Sequence, residues 1–213
     1  MDWHVSEPYS PYDYIQQCAP YPSFDIWDAL TGAEREALTS FQDLGSMQDV
    51  WDVEAPDESH VNCSIINSYL RFPGFREMMS AEDIHLCDSL ICSLDSAIEK
   101  SVLPVRLNVI RGLFDASWTE NLAVGDEYVE EGYGSYSLSP GLASGYAGVN
   151  ADGRLVFFAR YLDVGDTGLY LGSKEEEILV GRGKRYLVKE IDIVAKGRLS
   201  SSHEAIVYML VEV

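Results

Sequence analysis

In the first half of the chain, apolar residues recur every three and four positions. Beyond about residue 102 they recur every two. The first period belongs to helices with one buried face and the second to strands. Thr31 and Glu34 stand at capping-box spacing, each side chain able to satisfy a free backbone N–H of the first turn. A first helix is therefore predicted from Thr31, with Leu38, Phe41 and Leu44 on its apolar stripe. A second is predicted over roughly 59–70, carrying Ile65, Ile66, Tyr69 and Leu70 and stopping before Pro73. A third starts at the cap residue Ser80 and shows Ile84, Cys87, Leu90, Ile91, Leu94, Ala97 and Ile98 on one side. That stripe needs a cover, and a sheet is the expected one.

The period-2 region opens with Leu103, Val105, Leu107 and Val109 alternating with Pro104, Arg106, Asn108 and Ile110. Further strands are expected at 133–138, 154–162, 176–181, 185–194 and 205–213, with turns at Asn150-Ala151-Asp152-Gly153 and Gly181-Arg182-Gly183. Helices first and strands later indicate an α+β domain rather than alternating βαβ units. Residues 1–30, where Tyr9, Tyr12, Tyr14 and Tyr21 alternate with Pro8, Pro11, Pro20 and Pro22, show no sustained period. They are expected to form an acidic, Tyr/Pro-rich arm beside a single domain over 31–213, divided into a helical part (31–101) and a β-rich core (102–213).

Composition narrows the function. With 213 residues, 46% of them hydrophobic, the chain can bury a full core. The formal charge of −20 is uneven: residues 1–60 hold 13 acids against one base, Arg35, whereas residues 101–213 hold 16 acids and 11 bases. Nucleic-acid binding needs a basic footprint and is not expected. The acidic end reads as a solvated surface or as a docking face for a basic partner. Cys18, Cys63, Cys87 and Cys92 lack metal-ligand spacing, and His4, His60, His85 and His203 form no HExxH, so no metal site is expected. No apolar run approaches the ~20 residues of a membrane span. No basic-then-apolar leader opens the chain, so it is expected in the cytoplasm as synthesised, or exported or injected without a secretory signal peptide.

Three segments carry candidate chemistry. In Val109-Ile110-Arg111-Gly112-Leu113, alternation puts Arg111 on the apolar face shared by Leu103, Val105, Leu107 and Val109. A guanidinium there requires an anion, either an internal carboxylate or a ligand phosphate gripped by two hydrogen bonds. In Tyr133-Gly134-Ser135-Tyr136-Ser137-Leu138-Ser139-Pro140, Tyr133, Ser135 and Ser137 share one face, with Tyr136 and Leu138 on the other. In Ser173-Lys174-Glu175-Glu176-Glu177-Ile178-Leu179-Val180, Glu175 and Glu177 share a face with Leu179, so two carboxylates can address one substrate. Taken singly, the serines fit a solvent face and the acids a charged turn.

Their order and spacing change this reading. Arg at a strand end, Ser-x-Ser 24 residues on, and Glu-x-Glu 40 residues later resemble the mono-ADP-ribosyltransferases of the Arg–Ser–Glu class, which include bacterial exotoxins, injected effectors and phage enzymes. Ile66-Asn67-Ser68-Tyr69-Leu70-Arg71 resembles the Ile-Asn-x-Tyr-Leu-Arg helix of the exotoxin branch, and Gly125-Asp126 with Gly132-Tyr133 resembles its lead-in to Ser-Thr-Ser. Tyr136 stands where that family has the middle Thr. The resemblance covers about residues 31–213.

The resemblance implies a fold of two packed, mainly antiparallel β-sheets with an N-terminal helical subregion. It implies NAD as substrate and transfer of ADP-ribose to an arginine of a target protein, with release of nicotinamide. Arg111 is then expected at the diphosphate, Gly112 near the nicotinamide amide, Asn67 on the adenosine side, and Tyr146 stacked on nicotinamide. Ser135 is expected to orient Glu177, which binds the ribose and stabilises a growing positive charge. Glu175 is expected to select arginine by pairing with the guanidinium and accepting its proton. Two further readings stand beside this one: an NAD glycohydrolase with water as acceptor, and a non-catalytic module binding a basic partner.

Overall fold

The computed structural model describes residues 26–42, 61–171, 176–199 and 203–213. Most of the predicted arm and Glu175 lie outside them. Helix α1 (Gly32–Gln42) begins as predicted: the Thr31 N–H donates to Glu34 Oε2 at 2.7 Å, and the Glu34 N–H donates to Thr31 Oγ1 at 3.3 Å. Helix α2 (Cys63–Arg71) starts later than expected because Asn62 caps it, its side chain accepting from Ser64 N and Ile65 N. Pro73 opens a separate short helix, α3 (Pro73–Glu77), since proline fits a first turn but not a helix interior. Helix α4 (Ala81–Lys100) is capped by Ser80, which accepts from the Asp83 N–H at 3.1 Å.

The α4 stripe is covered chiefly by α1 and α2, with Leu169 and Leu179 as the buried contributions of the sheet and Tyr133 from the segment leading into β3. The expectation of a sheet cover is corrected here: three helices build their own small core and touch the sheet at one margin. Glu34, buried between α1 and α4, accepts from Lys100 Nζ and Ser96 Oγ, and these bonds draw its pKa down to about 2.

Eight strands follow: β1 (Leu107–Gly112), β2 (Glu127–Glu130), β3 (Gly134–Ser137), β4 (Leu155–Leu162), β5 (Leu169–Tyr170), β6 (Glu177–Val180), β7 (Lys184–Val194) and β8 (Ala205–Glu212). A short helix, α5 (Pro140–Ser144), follows β3. The expected pair of packed antiparallel sheets is not what forms. The strands make one continuous mixed sheet in the order β2-β7-β8-β4-β1-β3-β6-β5, with β4 and β8 parallel. Strand β1 is the reason: with Leu107 to Ile110 buried on both its faces, it sits inside the sheet and hydrogen-bonds β3 on one side and β4 on the other, leaving no break.

The sheet is strongly curled. Strands β2 and β1 are four places apart, about 19 Å in a flat sheet. Yet Glu130 on β2 and Arg111 on β1 meet side chain to side chain at 2.6 Å. The curl encloses an aromatic-rich cluster in which Tyr136, Phe158, Tyr186 and Tyr208 pack with Val109 and Ile178. The opposite face of β1, β4 and β8 buries Ile110, Phe157, Ala159 and Met209, with Ala143 of α5 over them. Among the described residues, no helix is long and apolar enough to cross a membrane.

Candidate active site

Strands β3 and β6 pair antiparallel, with Ser135 opposite Leu179 and Ser137 opposite Glu177. Ser135 and Glu177 are thus diagonal neighbours on one face, a separation that polar side chains can bridge. The Ser135 hydroxyl donates to Glu177 Oε1. Glu177 is 9% exposed, so its carboxylate is held in a largely dry position. The residue before it, Glu176, adopts φ 50°, a left-handed turn that non-glycine residues rarely take. This turn is anchored where the Leu138 N–H donates to the Glu176 carbonyl at 2.8 Å, and β6 starts from it at Glu177.

Arg111 lies near the end of β1, one step beyond the pair formed by Ile110 and Ser137. It is opposite Phe158 on β4, on the face of the aromatic cluster rather than that of Ser135 and Glu177. Its Nη1–H donates to Glu130 Oε2 at 2.6 Å. Arg71, the last residue of α2, donates from Nη2 to Glu130 Oε1, also at 2.6 Å. The Tyr128 hydroxyl adds a bond to Glu130 Oε2 at 2.8 Å. Burial alone would lower the Arg111 pKa, but the Glu130 charge, with Tyr136 and Tyr128, more than offsets it and the net shift is upward. Burial, then the Glu130 charge, pushes the Tyr128 phenol above its ordinary value. The internal carboxylate allowed for Arg111 by its sequence pattern is therefore present.

The chain then threads toward Ser135. A side chain on Gly132 would overlap the amide oxygen of Asn67 and press on Arg71. The Tyr133 N–H donates to Asn67 Oδ1 at 2.8 Å, and the Tyr133 hydroxyl donates to Asp95 at 2.7 Å. Within six residues, 130 to 135, this segment touches Arg71, Arg111, Asn67 and Glu177. Gly112 meets a separate neighbour: a side chain there would overlap the Ala143 carbonyl and the Ala147 amide, at the turn that carries Tyr146. Tyr146 is 48% exposed beside it. Glu175 lies outside the described residues. Two participants escaped the sequence-based site, Glu130 and Arg71. The signal for Glu130 was the need of a buried guanidinium for an anion. Arg71 stood in the recognised helix motif without an assigned task. Among the described residues, no group of three His, Cys, Asp or Glu side chains could hold a metal ion.

Set against known proteins, the sequence matches the ADP-ribosyltransferase exoenzyme family over residues 59–211. The fold is shared with Plx2a, an ADP-ribosyltransferase toxin from Paenibacillus larvae, at 18% identity and a TM-score of 0.57, covering 88% of this chain and 89% of that one. It is also shared with the ADP-ribosylating toxin BECa of a C. perfringens binary enterotoxin, solved with NADH, at 16% identity and a TM-score of 0.60, covering 87% of this chain and 44% of that one. A third similar structure is the ADP-ribosyltransferase Vis in complex with agmatine, at 23% identity and a TM-score of 0.56, covering 85% and 75% of the two chains. No match was found among curated protein sequences. The family match and the shared fold define an ADP-ribosyltransferase. This chain belongs to the ADP-ribosyltransferase exoenzyme family and is an enzyme of that class, with NAD as the substrate of the fold.

Proposed function

We propose that the protein cleaves NAD between nicotinamide and ribose and transfers the ADP-ribose to an arginine side chain of a target protein. The observation that carries this reading is the contact of Ser135 with Glu177, which fixes a buried carboxylate at the start of β6, across β3 from β1. In the reaction the bond from the anomeric carbon to the pyridine nitrogen breaks, and nicotinamide leaves with the bonding electrons. Glu177 holds the ribose hydroxyl and opposes the positive charge that grows on the sugar. Ser135 keeps that carboxylate oriented. Arg111 holds the diphosphate, Asn67 meets the adenosine side, and the Gly112 backbone with Tyr146 receives nicotinamide. The dinucleotide passes over the rim where Arg111–Gly112 lie next to the start of β3, its diphosphate on the aromatic-cluster side and its nicotinamide ribose on the Glu177 side. An arginine nitrogen then attacks the anomeric carbon, and Glu175 takes the proton it loses. A guanidinium keeps its proton up to about pH 12, so without a base it is a poor nucleophile.

The test is nicotinamide release from NAD, measured with and without agmatine as a small guanidine acceptor. Glu177→Gln is expected to lower release by about 10²- to 10³-fold, the scale of removing one preorganised electrostatic group. Glu175→Gln is expected to end transfer to agmatine while leaving slow hydrolysis of NAD. Full transfer by Glu175→Gln removes its role as base. Rapid release by the unaltered chain without transfer to any guanidine makes water the acceptor.

A further inference from the structure

We propose that Glu130 is a positioning residue that sets Arg71 and Arg111 as a paired grip for the NAD diphosphate; this rests on the reading that the site takes NAD. Glu130 is 1% exposed, and each carboxylate oxygen accepts from a different arginine. The two arginines come from distant places, one from the end of α2 and the other from β1. Like charges brought this close repel, and long side chains spread over many rotamers. One carboxylate taking a charge-assisted bond from each guanidinium removes both problems. The group keeps two cations to one anion, which suits a ligand with two negative phosphates. Each arginine gives Glu130 a single Nη, of the five N–H donors a guanidinium carries.

Tyr128 trims the geometry further. Its hydroxyl bonds the oxygen that takes Arg111, and its ring is fixed by stacking on Trp118 at 5.1 Å. Gly132 packs against Asn67 and Arg71 with no room for a side chain, so the backbone two residues after Glu130 is held against α2. Glu130 itself lies on the grip and not on the pair formed by Ser135 and Glu177, so it governs how NAD is held rather than how its bond is cut.

The experiment is steady-state nicotinamide release by the full chain, well below the melting temperature of each variant. Glu130→Gln is expected to raise the KM for NAD about tenfold, the scale of a lost charge-assisted hydrogen bond, with kcat changed less than about threefold. Glu131→Gln, at the exposed neighbour, is expected to change neither. A purely structural role shows the opposite split, a smaller active fraction and lower kcat at unchanged KM, and overturns the proposal. Should Glu130→Gln fail to fold, Tyr128→Phe removes one bond to the same carboxylate and is expected to raise KM about threefold. An unchanged KM in Tyr128→Phe then overturns it. Failure of the unaltered chain to consume NAD removes the proposed function and this inference together; consumption with unchanged KM in both variants removes the inference alone.

Discussion

Two arginines face the same aromatic cluster from adjacent strands. Arg111 on β1 and Arg160 on β4 are two register steps apart on one face. Each reaches a carboxylate that a second cation shares: Glu130 with Arg71 in one case, Glu212 with Lys184 in the other. Their surroundings separate them. Arg160 is 3% exposed, bonds the Tyr186 hydroxyl and Glu212, and lies against the Tyr186 ring at 4.5 Å. The surplus charge beside it rests on Lys184, where it and Glu212 are each 37% exposed and water screens them. At Arg111 the arrangement is inverted: the carboxylate is the most buried member at 1% and the arginines open outward at 18% and 29%. A guanidinium enclosed by rings and a phenol is a structural strut. A pair of guanidiniums tethered from behind and open in front is prepared for an anion.

Exchanging each arginine sharpens this contrast most. Arg111→Lys is expected to raise the NAD KM by about tenfold or more, because an ammonium cannot reproduce a planar fork, while leaving the melting temperature nearly unchanged. Arg160→Met is expected to do the reverse. It leaves the buried Tyr186 hydroxyl without its donor and lowers stability by about 1–3 kcal/mol, several degrees in a melt, with KM unchanged. If Arg160→Met raised KM as much as Arg111→Lys, the distinction between strut and grip would fail. The smallest effect concerns acid. The Glu34 pKa is lowered to about 2 from 4.5, so its stabilisation is complete above about pH 4.5 and fades as pH falls toward 2. A melting temperature followed from pH 6 to pH 2 should drop in that window, and less so in Glu34→Gln.

Local chemistry in this chain is readable from the sequence. The Thr31 and Glu34 box, the Ser80 cap and most strands follow from spacing, because their causes lie within a few residues. Strand β2 is not legible: Glu127-Tyr-Val-Glu has acids at both ends and no apolar alternation, and it is a strand because β7 pairs with it. The continuity of the sheet is also hidden, since the parallel pairing of β4 with β8 joins residues some fifty positions apart. In the site, the alternation that isolated Arg111 demanded an anion, but nothing in the pattern chose Glu130 from 35 acids. That choice is made by the curl that returns β2 to β1.

Tyr133 has a consequence for any attempt to shorten this enzyme. Tied at its amide to Asn67 of α2 and at its phenol to Asp95 of α4, it stands two residues before Ser135. The hydroxyl that steers Glu177 thus inherits its coordinates from the helices as much as from its own strand. A strand-only miniature that kept every catalytic side chain would still lack the wall against which the serine is aligned.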